Sequence, residues 1–244
     1  MNPNPIEFRS GVISPVECVK EGWQLIKDQY WLFLGLTLVA MLVGGAVPVV
    51  IIGPMMIGLY MCLFAKMRGE PVEFGMLFKG FDYFTQGLVA AAIQTVPVIL
   101  IIAVGQVIFV AFTMIIMPTQ RGDVMPAVFW VALVVLVLVA MIASLAIHAL
   151  FMFAYPLIAD RNIPGLDAIK LSYRAALQNL GGIIGLLLLV TGLGILGVFA
   201  CYVGAFLVMP ISFASYAVAY RRVFPETGPL AGSAPPPPPG SWAA

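Results

Sequence analysis

The chain has 244 residues, of which 62% are hydrophobic and only 9% charged, with a mean hydropathy of +1.06 and a net charge of +1. Soluble domains carry roughly one charged residue in four, so this composition excludes an ordinary soluble domain and makes lipid the main solvent. The near-zero net charge, without any run of Lys and Arg, excludes a nucleic-acid partner. Cys18, Cys62 and Cys201 form neither a CxxC motif nor a Cys/His cluster, so neither a disulfide framework nor a zinc site is expected.

The chain begins with a polar segment, residues 1–13, that is rich in proline near its start. It lacks the order of basic, apolar and small residues that marks a cleavable signal peptide, so the first spanning helix is expected to act as the insertion signal. The sequence Ser14-Pro15-Val16-Glu17 is a capping box with proline at the first helical position. It predicts that an amphipathic helix starts here.

The first uncharged stretch lies between Asp28 and Lys66. A single straight helix through it would be roughly 55 Å long, well beyond a hydrocarbon core of about 30 Å. Pro48 and the Gly53-Pro54 pair interrupt the stretch. We therefore predict a hairpin of two short spans, from about residue 30 to 47 and from about residue 49 to 67.

The remaining apolar sequence predicts four more spans. The third runs from about residue 86 to 117 with a kink at Pro97, and the fourth from about residue 127 to 155. A last uncharged stretch lies between Arg174 and Arg221, and the glycine-rich sequence Thr191–Gly197 is expected to divide it into the fifth and sixth spans. The prediction is thus an all-α membrane protein with about six transmembrane helices.

The basic residues predict the orientation of these spans, because basic residues are enriched on the cytoplasmic side of a membrane protein. An even number of crossings puts nearly all of them on one side, with only Arg121 opposite. Those on the shared side are Arg9, Lys20, Lys27, Lys66, Arg68, Lys79, Arg161, Lys170, Arg174, Arg221 and Arg222. We expect a multi-pass protein of the cytoplasmic (inner) membrane with both termini in the cytoplasm.

An internal threefold repeat underlies the six predicted spans. Each cytoplasmic segment carries five apolar residues at helical spacing, and offsets of 58 and 150 residues superimpose the three sets. The sets are Val16, Val19, Trp23, Ile26 and Tyr30; Phe74, Leu77, Phe81, Phe84 and Leu88; and Leu166, Ile169, Tyr173, Ala176 and Leu180. We predict three units, at about residues 14–70, 71–161 and 162–224, each an amphipathic interfacial helix followed by a transmembrane hairpin. The alternative is that these helices simply continue the spans.

An amphipathic helix, a short span, Gly-Pro and a second short span are followed by the sequences at Met67–Pro71 and Leu77–Phe81. In this order of features the chain resembles a family of bacterial multi-pass membrane proteins of unknown function. That family is related to the membrane domain of glycerophosphoryl diester phosphodiesterases. The resemblance covers roughly residues 14 to 224 and implies a fold without an agreed activity. The soluble catalytic barrel of those phosphodiesterases has no counterpart here, so their chemistry is not implied.

Polar residues inside the predicted spans are few, and ionisable ones are fewer. His148 is the only histidine and lies one helical turn after Ser144, while Gln94 and Gln106 lie in the third span. These four residues are the candidate polar strip of a solute passage. The alternative is that they hydrogen-bond between helices, which is the commoner role of such groups in membrane proteins. No catalytic, cofactor-binding or metal-binding set is predicted.

The last 20 residues, 225–244, have no apolar periodicity and contain the run Pro235, Pro236, Pro237, Pro238 and Pro239, followed by Trp242. A polyproline II segment of this kind cannot join a packed core, so a disordered tail is predicted. The tail is either an inert linker or a ligand for a polyproline-binding partner.

Two functional hypotheses follow from the sequence. The first is a non-enzymatic accessory or self-associating scaffold component, with membrane lipids, a second copy of the chain or a larger membrane complex as its partners. The alternative is a transporter or channel for a small, weakly polar or lipidic solute.

Overall fold

A computed structural model of the chain describes residues 7–47, 49–116, 124–199 and 203–226. Regular structure in these ranges is helical throughout. The helices are α1 (Pro15–Ile26), α2 (Tyr30–Ala46), α3 (Ile52–Met67), α4 (Phe84–Ile116), α5 (Val124–Phe151), α6 (Ala154–Arg161), α7 (Gly165–Gln178), α8 (Leu180–Phe199) and α9 (Val203–Val223). A 3₁₀ turn at Lys27–Gln29 joins α1 to α2, and a 3₁₀ segment at Phe74–Tyr83 precedes α4.

Five helical stretches in the described ranges are long and apolar enough to cross a membrane: Pro15–Ala46, Phe74–Met114, Phe129–Arg161, Leu180–Phe199 and Val203–Val223. The prediction of an all-helical membrane protein is therefore confirmed at this level. The remaining apolar helix, α3, has 16 residues and a length of about 24 Å. It is shorter than a hydrocarbon core of about 30 Å.

Helix α3 is the centre of the bundle. Twelve of its 16 residues are buried, and it contacts α1, α2, the 3₁₀ segment, α4, α6 and α9. Two glycines permit this packing, because a Cβ at Gly58 would overlap the carbonyl oxygen of Leu77 and one at Gly53 would overlap that of Gly87. The core of the protein thus forms around a helix that has almost no surface for lipid.

The element at the start of each predicted unit packs on the hairpin of another unit. Helix α1 lies against α8 and α9, the 3₁₀ segment lies against α3, and α7 lies against α4 and α5. Helix α1 runs antiparallel to α9: Glu17 pairs with Arg222, Gly22 lies beside Ser215, and the Tyr30 hydroxyl donates to the carbonyl of Leu207.

Two predictions about local structure are wrong. Helix α8 continues through Thr191–Gly197 to Phe199, because a helical glycine costs only about 1 kcal/mol and a backbone in lipid has no other hydrogen-bond partner. In the second unit the expected amphipathic α-helix is replaced by the 3₁₀ segment and the start of α4. Its backbone packs so closely on α3 that a Cβ on Gly80 would lie 2.6 Å from the Gly58 nitrogen.

The described part of the N-terminal segment is bound to the last hairpin. The Arg9 amide donates to the Val223 carbonyl at 2.9 Å, and the Asn179 side-chain amide donates to the Arg9 carbonyl at 3.0 Å. The rings of Phe8 and Phe224 lie 6.0 Å apart. The polar composition of this segment gives no sign of such docking.

Candidate functional site

The structure brings two of the four predicted strip residues together. Gln94 Nε2 on α4 lies 3.5 Å from His148 Nδ1 on α5, and both side chains are half-buried. The His148 ring meets the ring of Tyr216 on α9 edge-on, with 5.8 Å between centroids. A contact of this kind among three helices is typical of polar side chains that hydrogen-bond between packed transmembrane helices.

The other two strip residues have different surroundings. Ser144 is half-buried one turn before His148. Gln106 is exposed, twelve residues beyond Gln94 and about 18 Å farther along α4. The four residues therefore do not line one continuous path.

The larger cavity is a groove of about 690 Å³ between α4 and α5. Its lining is entirely apolar and includes none of the four strip residues. The lining residues are Leu100, Ile101, Val104, Gly105, Ile108, Phe109, Phe112, Ala132, Val135, Leu136, Val139 and Ala140. Such a groove fits hydrocarbon and offers no ligand for an ion or a polar solute.

The strongest polar contacts of the described residues lie at the ends of α6 and α9, where Asp160 is shared by three side chains. Its carboxylate accepts the Tyr220 hydroxyl at 2.8 Å and pairs with Arg221 at 2.8 Å and Arg161 at 2.9 Å. Arg161 also donates to the Pro225 carbonyl at 2.7 Å. We call these residues the Asp160 cluster. Because Asp160 is only 10% exposed, the cluster is largely desolvated, and it holds the end of α9 against the end of α6.

Arg221 of the Asp160 cluster also contacts an aromatic ring. Its guanidinium carbon lies 4.4 Å from the centroid of the Phe64 ring on α3, and its Nε and Nη1 atoms have no hydrogen-bond acceptor within the described chain. A guanidinium over an aromatic face gains cation–π attraction where hydrogen bonds are missing. The contact therefore joins α3 to the Asp160 cluster.

Further ion pairs join the ends of α1, α3 and α9. Arg222 bridges Glu17 at 3.0 Å and Glu21 at 2.7 Å, and Lys66 pairs with Asp28. These acids are more than half exposed, so each pair contributes little to stability. They are nevertheless informative about geometry, because they show which helix ends lie on the same face of the bundle.

The loop after α3 carries a similar exposed pair, in which Arg68 holds Glu70 with two hydrogen bonds of 2.6 and 2.9 Å. The guanidinium lowers the pKa of the Glu70 carboxyl below its usual value.

A second pocket, of about 520 Å³, opens beside Arg221 and Arg222 and is also lined by Glu21, Gln24 and Met67. Two arginines in a pocket are typical of an anion site. Here, however, Arg222 is neutralised by Glu17 and Glu21, and Arg221 by Asp160 and Glu226. The charge balance gives no preference for an anion.

The described residues offer no site for a metal: no three His, Cys, Asp or Glu side chains come close enough together to share an ion. Three hydrogen-bonding side chains were not predicted from the sequence: Asp160, Ser172 and Asn179. Asp160 could have been singled out from the sequence, because it is the first charged residue after a long apolar stretch. The candidate tail ligand, Pro235–Pro239 and Trp242, lies outside the described residues.

Comparisons of the chain with protein-family models, with curated proteins and with solved structures give no match.

Proposed function

We propose that the chain is a non-enzymatic component of a bacterial inner membrane, an accessory or self-associating scaffold that crosses the bilayer six times with both termini in the cytoplasm. The observation that carries the choice of a scaffold over a conduit is the cavity between α4 and α5. It is lined only by apolar residues, while the polar pair Gln94 and His148 packs against Tyr216 away from it.

The six crossings are supported by the ion pairs between chain ends. Asp28, before α2, pairs with Lys66, at the end of α3, so this hairpin leaves from and returns to one face. Glu17 at the start of α1 pairs with Arg222, and Asp160 at the end of α6 pairs with Arg221. The contact of Arg221 with Phe64 joins the end of α3 to these ends. Together the contacts support one shared face and an even number of crossings.

The short helix α3 fits this arrangement because it is enclosed by other helices. A span shorter than the hydrocarbon core is costly where it faces lipid, since the bilayer must thin around it. With 12 of 16 residues buried, α3 meets protein instead.

The threefold repeat is supported by a small residue at one equivalent position of each unit: Gly22, Gly80 and Ser172, separated by the offsets of 58 and 150. Each is buried at the contact with another unit's hairpin. A Cβ at Gly22 would lie 2.8 Å from the Ser215 nitrogen, and Ser172 Oγ donates to the Leu150 carbonyl at 3.0 Å. The packing is thus cyclic, with unit 1 on unit 3, unit 2 on unit 1, and unit 3 on unit 2.

Self-association is supported by the outer part of the α4–α5 hairpin. From about Val96 to Met114, and from Trp130 to Leu145, most large apolar side chains are exposed. Because these apolar side chains are exposed, lipid or another membrane helix must cover this surface.

Cysteine labelling tests the six crossings. In a background without the native cysteines, a V50C variant, between α2 and α3, is expected to react with a membrane-impermeant maleimide from the periplasmic side only. A G69C variant, in the loop after α3, is expected to react from the cytoplasmic side only. Labelling of both from the same side would contradict a crossing by α3.

Reconstitution tests the scaffold. We expect more than one copy per particle when single-molecule photobleaching is measured in liposomes diluted with excess lipid, and no flux of ions or small polar solutes. A single copy per liposome with measurable flux would overturn the proposal.

A lipidic solute is the second candidate, favoured by the volume and apolar lining of the groove. It predicts that an A140W variant, which fills the groove, abolishes binding of a fluorescent acyl-chain probe. A V137W variant, on an exposed residue of α5 outside the lining, is the matched control. Equal binding by both variants would reject this candidate.

A further inference from the structure

An exposed stripe of the same composition recurs on α1 and α7. On α1 it consists of Val16, Lys20 and Trp23, and on α7 of Leu166, Lys170 and Tyr173, each related by the offset of 150 residues. Spacings of four and three residues place the members of each stripe on one face of the helix. The apolar members are 41–54% exposed, whereas Ile26 and Ile169 of the same seams are buried.

Neither lysine is engaged by the protein. Lys20 and Lys170 are exposed and take part in none of the ion pairs of the described chain. The nearest acids on α1, Glu17 and Glu21, are held by Arg222 on α9. On α7 the neighbouring acid is Asp167, one turn before Lys170, and Arg174 follows one turn later.

The third equivalent stripe lies on the 3₁₀ segment and differs at the central position. It reads Phe74, Phe78 and Phe81, all exposed, so a phenylalanine replaces the lysine. The adjacent Lys79 is exposed but is flanked in sequence by Glu73 and Asp82. This segment therefore shares the apolar anchors but has no lysine between them at the central position.

A lysine between two exposed apolar side chains suits the boundary between lipid tails and headgroups. The apolar members enter the acyl region, an aromatic ring prefers the headgroup level, and the lysine extends its ammonium group to the polar layer. Deeper insertion of α1 into the hydrocarbon core is excluded, because α1 and the turn after it carry five charged residues from Glu17 to Asp28.

We propose that Lys20 and Lys170 bind the phosphate of anionic phospholipids in the leaflet that meets α1 and α7, with Trp23 and Tyr173 beside the glycerol region. The inference rests on the proposed function, in which the start of α1 and the end of α6, just before α7, lie on the cytoplasmic face. The argument is charge complementarity, since the leaflet on that side is rich in anionic lipid and attracts basic residues next to spans.

Quenching of Trp23 fluorescence tests the α1 site in the full chain. The other tryptophans are replaced by phenylalanine, and the protein is reconstituted with brominated phosphatidylglycerol or brominated phosphatidylcholine at equal fractions. We expect a preference for phosphatidylglycerol of about fivefold, the effect of one lysine near the surface. In K20Q the preference is expected to fall to about one, while K79Q keeps it.

The same measurement on a Y173W reporter, with Trp23 also replaced, tests the α7 site. There K170Q is expected to remove the preference and K20Q to leave it unchanged. Equal quenching by the two lipids before any lysine is changed, or an equal loss in K79Q and K20Q, would overturn the inference. With all native tryptophans present, native mass spectrometry of K20Q/K170Q must also show fewer retained phosphatidylglycerol molecules than the unmodified chain.

The two proposals fail in different ways. Loss of the lipid preference, with the copy number per liposome unchanged and no solute flux, overturns only the lipid sites. Solute flux from a single copy overturns the scaffold, whatever lipid is bound.

Discussion

Helix α3 and the α4–α5 hairpin have similar apolar compositions and opposite surroundings. Of the 16 residues of α3, 12 are buried, and the helix contacts six other elements, whereas the outer part of the hairpin exposes most of its large side chains. In α3, glycines bring backbones into contact, and in the outer hairpin the apolar groove stays open. A helix packed on protein requires a specific shape, while a helix facing lipid requires only apolar side chains.

The largest expected difference between these regions comes from adding one methyl group to each. In G58A the new Cβ would overlap the Leu77 backbone, so we expect the free energy of unfolding to fall by about 3 kcal/mol. In G105A the nearest atom is Leu136 Cδ1, the end of a flexible side chain, and little change is expected. Unfolding by SDS in mixed micelles measures both, and equal losses would contradict the contrast.

The next largest effect is expected at the Asp160 cluster. D160N removes the charge shared by Arg161 and Arg221 in a site that is only 10–19% exposed, so a loss of about 2 kcal/mol is expected. Its control is D28N, which breaks the Lys66 pair at an aspartate that is 56% exposed and is expected to cost less than about 1 kcal/mol. A larger loss of unfolding free energy in D28N than in D160N would show that the Asp160 cluster does not hold α9 in place.

A smaller effect is expected at Ser172, the small residue of the third unit. S172A removes the hydroxyl that donates to the Leu150 carbonyl and accepts from the Phe153 amide, and a cost of about 1 kcal/mol is expected. S144A, on half-buried Ser144 of α5, should change the free energy of unfolding by less. The same micelle titration compares the two, and an equal cost would remove the special role of the repeat position.

The smallest effect is expected for Q94L, which removes the contact with His148. A hydrogen bond between transmembrane helices contributes about 0.6 kcal/mol, so stability should fall by roughly that amount. Liposomes containing Q94L should remain as impermeable to small polar solutes as those with the unmodified chain. A change in solute flux would instead indicate that Gln94 and His148 line a solute passage.

Several features of the fold were predictable because they depend on local composition. Apolar stretches bounded by charged residues predicted the membrane class, and the predicted helix of residues 30–47 corresponds to α2. The Gly-rich sequence of α8 misled the prediction, because glycine breaks helices in water more readily than in lipid. The seams are apolar, but their period does not distinguish buried members such as Ile26 and Ile169 from exposed members such as Val16 and Leu166.

Composition and charge order were enough to predict a helical membrane protein, since transfer of apolar residues into lipid depends on each segment alone. They were not enough to identify the enclosed helix α3, the Asp160 cluster or the separation of Gln106 from Gln94. Those features depend on which helices meet. Helices that are equally apolar all round carry no preferred face in sequence, so only the close approach of backbones at positions such as Gly22, Gly58 and Gly80 decides their packing.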